Sequence, residues 1–169
     1  LVAALSSDIQ YTRLDAQRLL VEGKKQDAVP ALKRLLSTHS EGVAAIHALW
    51  TLHGLGALDT ESHRTALFAQ DARLRRNAIR ALGEDDAAQT LFHGSGVITD
   101  RDPHTRLAAL VKLAAFPTTP PMQTLVRGLV RGLLNDPQTK TDEWFQEAAR
   151  LLAKRHQADI YNEGPNLLP

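Results

Sequence analysis

Histidine, aspartate and arginine are the residue types of this chain that could perform chemistry, and their spacing limits what that chemistry could be. Seven histidines are present, and imidazole is both a metal ligand and an acid–base group. A zinc protease needs two histidines four residues apart on one helix, with a Glu between them, and the sequence has no such pair. His47 and His53 are six positions apart, which places them on different faces of a helix. We therefore expect no metal site.

Nucleophilic and cofactor chemistry also lack the residues they need. The sequence contains no Cys, so it has no thiolate nucleophile, no disulfide and no residue for covalent haem attachment. The segment 93–96 is too short for a phosphate-binding loop and lacks its Lys, and Ser95 lacks the spacing of a nucleophile elbow. We expect no catalytic residue and no cofactor, so that this chain would not be an enzyme by itself.

A motif that returns about every 31 residues predicts the elements that carry these side chains. It consists of an acidic residue, Arg or Ala four positions on, Ala three further on, and Leu after four more. Successive copies are 32, 30 and 31 residues apart, a period typical of stacked helical hairpins. The copies are Arg13, Ala16, Leu20; Ala45, Ala48, Leu52; Arg75, Ala78, Leu82; and Arg106, Ala109, Leu113, and their acidic residues are Asp8 (one position early), Glu41, Asp71 and Asp102.

The period predicts an all-α fold, an α–α superhelix built as a solenoid of antiparallel helical hairpins. Residues 1–116 would form the regular repeats, 117–157 two less regular helices of the same solenoid, and 158–169 an extended or disordered tail. Ala78 and Ala109 should be almost fully buried, because a small side chain lets neighbouring helices approach closely. The glycines of 93–96 predict that a short helix from Asp86 ends at Phe92.

The acidic and Arg positions of the motif predict a structural ladder. Asp71 and Asp102 should cap the second helix of their hairpins. Arg75 and Arg106, one turn further on, should reach the cap of an adjacent repeat. We interpret these four residues as structural and not as catalytic.

The charge balance limits the range of partners. The sequence has 20 Lys and Arg against 19 Asp and Glu, a net charge of +1, which argues against a surface that grips nucleic acid without sequence preference. No apolar run approaches the roughly 18 residues of a membrane-spanning helix. Because the first residue is not Met and residues 1–6 look like the tail of a helix, we expect the chain to be part of a longer protein.

The best copies of the motif, Asp71–Leu82 and Asp102–Ala109, resemble HEAT repeats, especially the short kind first noted in phycobilin lyases. This resemblance implies a HEAT- or armadillo-like solenoid. The segment Ala45–Leu58 is similar to the HEAT segment of large secreted bacterial dehydrogenases that carry a c-type cytochrome domain. The similarity implies a non-catalytic scaffold or protein-interaction module from a larger exported bacterial oxidoreductase, which would be periplasmic or extracellular. Two alternatives are a nucleic-acid-binding HEAT protein resembling alkylpurine DNA glycosylases and a bilin-lyase-like protein.

A partner-binding surface is predicted at the second and fifth positions after each Arg or Ala of the motif. These positions are adjacent on a helix and avoid the Ala and Leu stripe. In HEAT proteins the second helices line the concave face, so the resemblance implies that these residues line a groove for a protein partner or a neighbouring domain. A Trp flanked by Arg residues is typical of a recognition hot spot, although Trp50 could instead pack in the core. The predicted residues are Asp15, Arg18, His47, Trp50, Asn77 and Arg80.

Overall fold

A computed structural model describes residues 1–38 and 42–158, and every regular element in these ranges is helical. No strand occurs in the described residues, which confirms the all-α prediction. Glu41 of the motif and all but the first residue of the predicted tail lie outside the described residues. The α-helices are α1 Gln10–Glu22, α2 Val29–Thr38, α3 Val43–Gly54, α4 Thr60–Leu67, α5 Ala72–Ala81, α6 Asp86–Ser95, α7 Pro103–Ala115, α8 Pro120–Asn135 and α9 Glu143–Arg155, with short 3-10 helices at Val2–Ser6, Gln26–Ala28 and Val97–Thr99.

The chain divides into two compact units, Leu1–Arg106 and Leu107–Pro169. In the first unit α3 packs against α1, α2 and α5, and α4 packs against α2 and α5. Because α3 meets neighbours on several sides, it is apolar over most of its circumference, and Ala45, Ala48 and Leu52 are fully buried. Ala78 of α5 is also fully buried, as the motif predicts.

The second unit is held together by α8, α9 and the buried residues of α7 that follow Arg106. α8 and α9 pack against each other, with Val126 and Val130 buried on the first and Phe145 and Leu152 on the second. Ala109 is fully buried here, which confirms its predicted position. Over the described parts of both units, no helix is long and apolar enough to cross a lipid bilayer.

One predicted boundary is wrong. α6 does not end at Phe92 but continues to Ser95, because its last turn tolerates glycine. One glycine, Gly94, costs only about 1 kcal/mol within a helix, and the Ser95 hydroxyl donates to the Phe92 carbonyl at 2.6 Å. The next residue, Gly96, is the C-cap of α6, and its φ of 69° is a left-handed conformation that favours glycine.

Candidate functional site

Arg13 and Arg75, which occupy equivalent positions of the motif, make the same pair of main-chain contacts. Each is the fourth residue of its helix, α1 or α5. The Nη1 atom of each side chain donates to two main-chain carbonyls, which belong to the residues six and five positions earlier in the sequence. The distances are 2.6 and 3.0 Å for Arg13, and 2.8 and 2.8 Å for Arg75. We call this arrangement the arginine clasp, because it closes the turn that leads into the helix.

Arg75 also forms a buried ion pair with Asp100. Its Nε and Nη2 each donate to one carboxylate oxygen at 2.7 Å, and both side chains are only 8% exposed. The same carboxylate accepts the main-chain N–H of Asp102 at 2.8 Å. Burial acts to raise the pKa of Asp100, but the hydrogen bonds from Arg75 and from the Asp102 N–H outweigh it, and the pKa lies below its ordinary value. Asp100 therefore remains ionised and fixes the guanidinium of Arg75.

Asp71 caps α5, as predicted, and also ties α5 to the start of α3. Its Oδ1 accepts the N–H of Arg73 at 2.8 Å, and its Oδ2 accepts the N–H of Gly42 at 3.0 Å. The Arg73 side chain pairs with the same carboxylate. This side-chain hydrogen bond is the main reason that the pKa of Asp71 falls to about 2.

Asp102 caps α7, as predicted, by accepting the N–H and the hydroxyl of Thr105 at 2.8 and 2.7 Å. The arginine that reaches this cap is Arg76, at 3.1 Å, and not Arg75 as the sequence suggested. The clasp holds Arg75 against the turn before its own helix, so its guanidinium meets Asp100, two residues before the cap. The remaining ladder residue, Arg106, is half-buried in α7.

Contacts between neighbouring helices order part of the predicted partner surface, which we define as Asp15, Arg18, His47, Trp50, Asn77 and Arg80. Trp50 of α3 is half-buried. Its Nε1 donates to Oδ1 of Asn77 on α5 at 2.8 Å, and its ring meets that of His53 edge to face, with centroids 5.3 Å apart. Trp50 is therefore neither a fully buried core residue nor a free surface residue.

His47 connects α3 to α1 through two hydrogen bonds. Its Nε2 accepts from Nε of Arg13 at 3.3 Å, which assigns the proton of the neutral ring to Nδ1. That nitrogen then donates to Oε1 of Gln17 at 2.7 Å. Burial, together with the positive charge of Arg13, lowers the pKa of His47. The ring is therefore neutral at neutral pH and fits its two partners only in that form.

The two arginines of the partner surface differ in their surroundings. Arg18 is held within α1 by Asp15 at 2.8 Å and Glu22 at 2.7 Å. Arg80 is exposed on α5, and its guanidinium forms no hydrogen bond or ion pair with another described residue. Arg80 is thus a cation of this surface whose donors remain available to a partner.

The sequence did not indicate the roles of four contacting residues. Arg13 and Gln17 are the partners of His47, Asp100 is the partner of Arg75, and Arg76 binds Asp102. The spacing of Asp100 and Asp102, with one residue between them, was a usable signal, because such a pair can cap a helix and bind a second cation. Gln17 carried no comparable signal, since its role depends on which residue of α3 lies opposite it.

A shallow hollow of about 340 Å³ between the ends of α3, α4, α5 and α6 brings His53, His63 and Asp85 to its wall. However, His63 Nε2 bonds the carbonyl of Ala78 at 2.7 Å, a structural contact at the end of α5. No group of three or more His, Cys, Asp or Glu suited to a metal ion occurs in residues 1–38 and 42–158.

Similarity to known proteins does not assign this surface. No family model matches the sequence, and neither a curated protein nor a solved structure is significantly similar to it.

Proposed function

We propose that this chain is a non-catalytic HEAT-like solenoid segment that binds a protein partner, or a neighbouring domain of a longer parent chain, through the partner surface. The observation that carries the proposal is the arginine clasp. Arg13 and Arg75 are two motif copies apart in the sequence, and they make the same main-chain contacts at the same helix position. A repeated motif that produces a repeated local geometry is what a stack of equivalent helical units requires.

The partner surface has properties that suit recognition of a protein. Trp, His and Asn are held in place by hydrogen bonds between α1, α3 and α5, so little side-chain entropy is lost when a partner binds. Arg80 is exposed beside this ordered group. Trp and Arg are the residue types that most often dominate binding free energy in protein interfaces.

The charges favour a protein over nucleic acid. Arg18, Arg73 and Arg76 each pair with a carboxylate of the same unit, which reduces the positive potential that a phosphate backbone would meet. Filter binding to duplex DNA with a salt titration tests this choice. We expect no binding below micromolar concentration at physiological salt, and tight binding that depends on Arg80 would favour the glycosylase-like alternative.

The parent protein that we propose is an exported bacterial oxidoreductase, in which this segment braces the catalytic and electron-transfer domains. Only the resemblance of Ala45–Leu58 to the HEAT segment of secreted dehydrogenases supports this part of the proposal. The periplasmic or extracellular location that we propose depends on the same resemblance. The sequence that flanks this segment in its gene is the direct test. A downstream Cys-x-x-Cys-His haem motif would support the proposal, and flanking domains without any redox motif would contradict it.

Site-specific photo-crosslinking tests the binding surface. The photoreactive residue p-benzoylphenylalanine would replace Arg80, and in a matched control Arg64, an exposed Arg of α4. In the producing cell, the probe at position 80 should crosslink to one protein or one neighbouring domain, identified by mass spectrometry, and the probe at position 64 should not. Equal crosslinking from both positions would refute the assignment of the surface.

A further inference from the structure

A second surface, in the unit formed by α8 and α9, contains an exposed tryptophan that the fold does not use. Trp144 is 74% exposed, whereas its neighbour Phe145 is buried and fills the core. The main-chain N–H groups of Trp144 and Phe145 both donate to Oδ1 of Asp142, the N-cap residue of α9, at 2.9 and 3.2 Å. The indole itself makes no hydrogen bond or ring contact with another described residue. Helix formation and packing therefore account for Phe145 and Asp142 but not for Trp144.

The ring of Trp144 forms one wall of an open hollow of about 500 Å³ at the start of α9. Two carboxylates, Glu143 and Glu147, share this hollow. The Glu147 carboxylate already accepts a hydrogen bond from the Arg150 guanidinium at 3.3 Å, and both side chains are more than half exposed. The walls are Thr141, Glu143, Trp144, Gln146, Glu147 and Arg150.

We propose that this hollow, which we call the Trp144 hollow, binds an arginine side chain from a basic peptide segment of a protein partner. The face of an indole attracts a cation, and a guanidinium can stack on it while its N–H groups point outward. Glu143 and Glu147 supply the complementary negative charge, and the Arg150 contact is the intramolecular version of the same pairing. With Arg150 counted, the walls carry two negative charges and one positive charge, so the hollow favours a basic peptide over an acidic one.

Nuclear magnetic resonance with a matched pair of peptides tests the proposal on the whole chain. The protein has two tryptophans, which give two indole N–H signals. The signal that is missing from the spectrum of Trp144→Phe belongs to Trp144, and the other belongs to Trp50. The probe is an acetylated, amidated Gly-Gly-Arg-Gly-Gly, and the control has citrulline, the uncharged analogue, in place of Arg. We expect the arginine peptide to shift the Trp144 signal saturably without moving the Trp50 signal, and the citrulline peptide to bind more weakly.

Variants separate the ring from the carboxylates, with binding followed at the main-chain N–H of Glu147. Trp144→Leu keeps an apolar side chain but removes the aromatic face, so it should weaken binding about two- to fivefold, the range of an exposed cation–π contact. Glu143→Gln should weaken binding and reduce its dependence on salt. Glu84→Gln, an exposed acidic residue of the first unit, should leave the affinity unchanged. Unchanged thermal melting would show that each variant folds.

Four results would overturn the proposal. The first is equal binding of the arginine and citrulline peptides, and the second is binding that Trp144→Leu does not weaken. The third is a Trp144 ring that acrylamide cannot quench in a Trp50→Phe background, since another part of the chain would then cover it. The fourth is a Trp144 signal that shifts with protein concentration alone, which would make a second copy of the chain the occupant.

Discussion

Replacing Asp100 by Asn should destabilise the first unit severely, although the change alters one atom type and almost no volume. Asp100 Oδ1 accepts the N–H of Asp102 and one N–H of Arg75, and Oδ2 accepts the other. If Asn keeps its oxygen at the Oδ1 position, its NH₂ group faces Nε of Arg75, and two donors oppose each other. Arg75 then keeps its charge at a side chain that is only 8% exposed, and it has lost the one carboxylate with which it forms hydrogen bonds.

The expected cost is about 3–5 kcal/mol, the range for breaking a buried ion pair by removing one partner. The matched control is Asp59→Asn. Asp59 also pairs with a cation, Lys33, but that pair is 49% and 39% exposed, and exposed pairs contribute about 0–1 kcal/mol. Asp59 caps α4 by accepting the N–H of Ser62 at 2.8 Å, and Asn preserves this capping bond because it is an equally good cap.

Urea unfolding followed by far-ultraviolet circular dichroism measures both variants against the original protein. Asp100→Asn should lower the unfolding midpoint strongly with an unchanged slope, and Asp59→Asn should shift it only slightly. A second replacement, Arg75→Met in the Asp100→Asn background, should add only the loss of the two clasp hydrogen bonds to Ala69 and Gln70, because the unpaired charge is then gone. Equal losses for Asp100→Asn and Asp59→Asn would refute the argument that burial makes the Arg75 pair important.

Three further predictions follow from burial and from the pKa shifts. Ala78→Leu should cost about 1–3 kcal/mol in urea unfolding because it overpacks a fully buried position, whereas Ala87→Leu, exposed on α6, should change stability by less than about 0.5 kcal/mol. The pKa of His47 is lowered in the folded chain, so the unfolded chain takes up the proton first. Stability should therefore fall as the pH drops below about 6.5, and His47→Gln should remove that part of the pH dependence in unfolding curves recorded at a series of pH values. The pKa of Asp71 is lowered to about 2, so its contribution of about 2 kcal/mol should be present above pH 3.8 and be lost as the pH falls toward 2. Asp71→Asn should be less stable at neutral pH and should flatten the acid limb of the stability curve.

Several features of this protein follow from the sequence alone, because they depend on local periodicity. The spacing of Ala and Leu in the motif correctly predicted the helices and the burial of Ala78 and Ala109. The caps Asp71 and Asp102 were also predictable, since a carboxylate that precedes a helix bonds N–H groups only two or three residues away. In the same way, the absence of Cys and of paired His excluded thiol chemistry and zinc-protease chemistry before any fold was known.

The tertiary structure decided which partner each side chain meets across helices. Arg75 and Arg76 are adjacent in the sequence, yet the first binds Asp100 and the second binds Asp102, because successive helical residues point about 100° apart. No local rule indicated that Trp50 would bond Asn77 or that His47 would bond Gln17, since these contacts depend on how α1, α3 and α5 are aligned. The contrast between Trp144 and Phe145 has the same origin. The two residues are adjacent in α9, yet Phe145 is buried and Trp144 is exposed. The position of α8 against α9 determines which of the two aromatic side chains is buried.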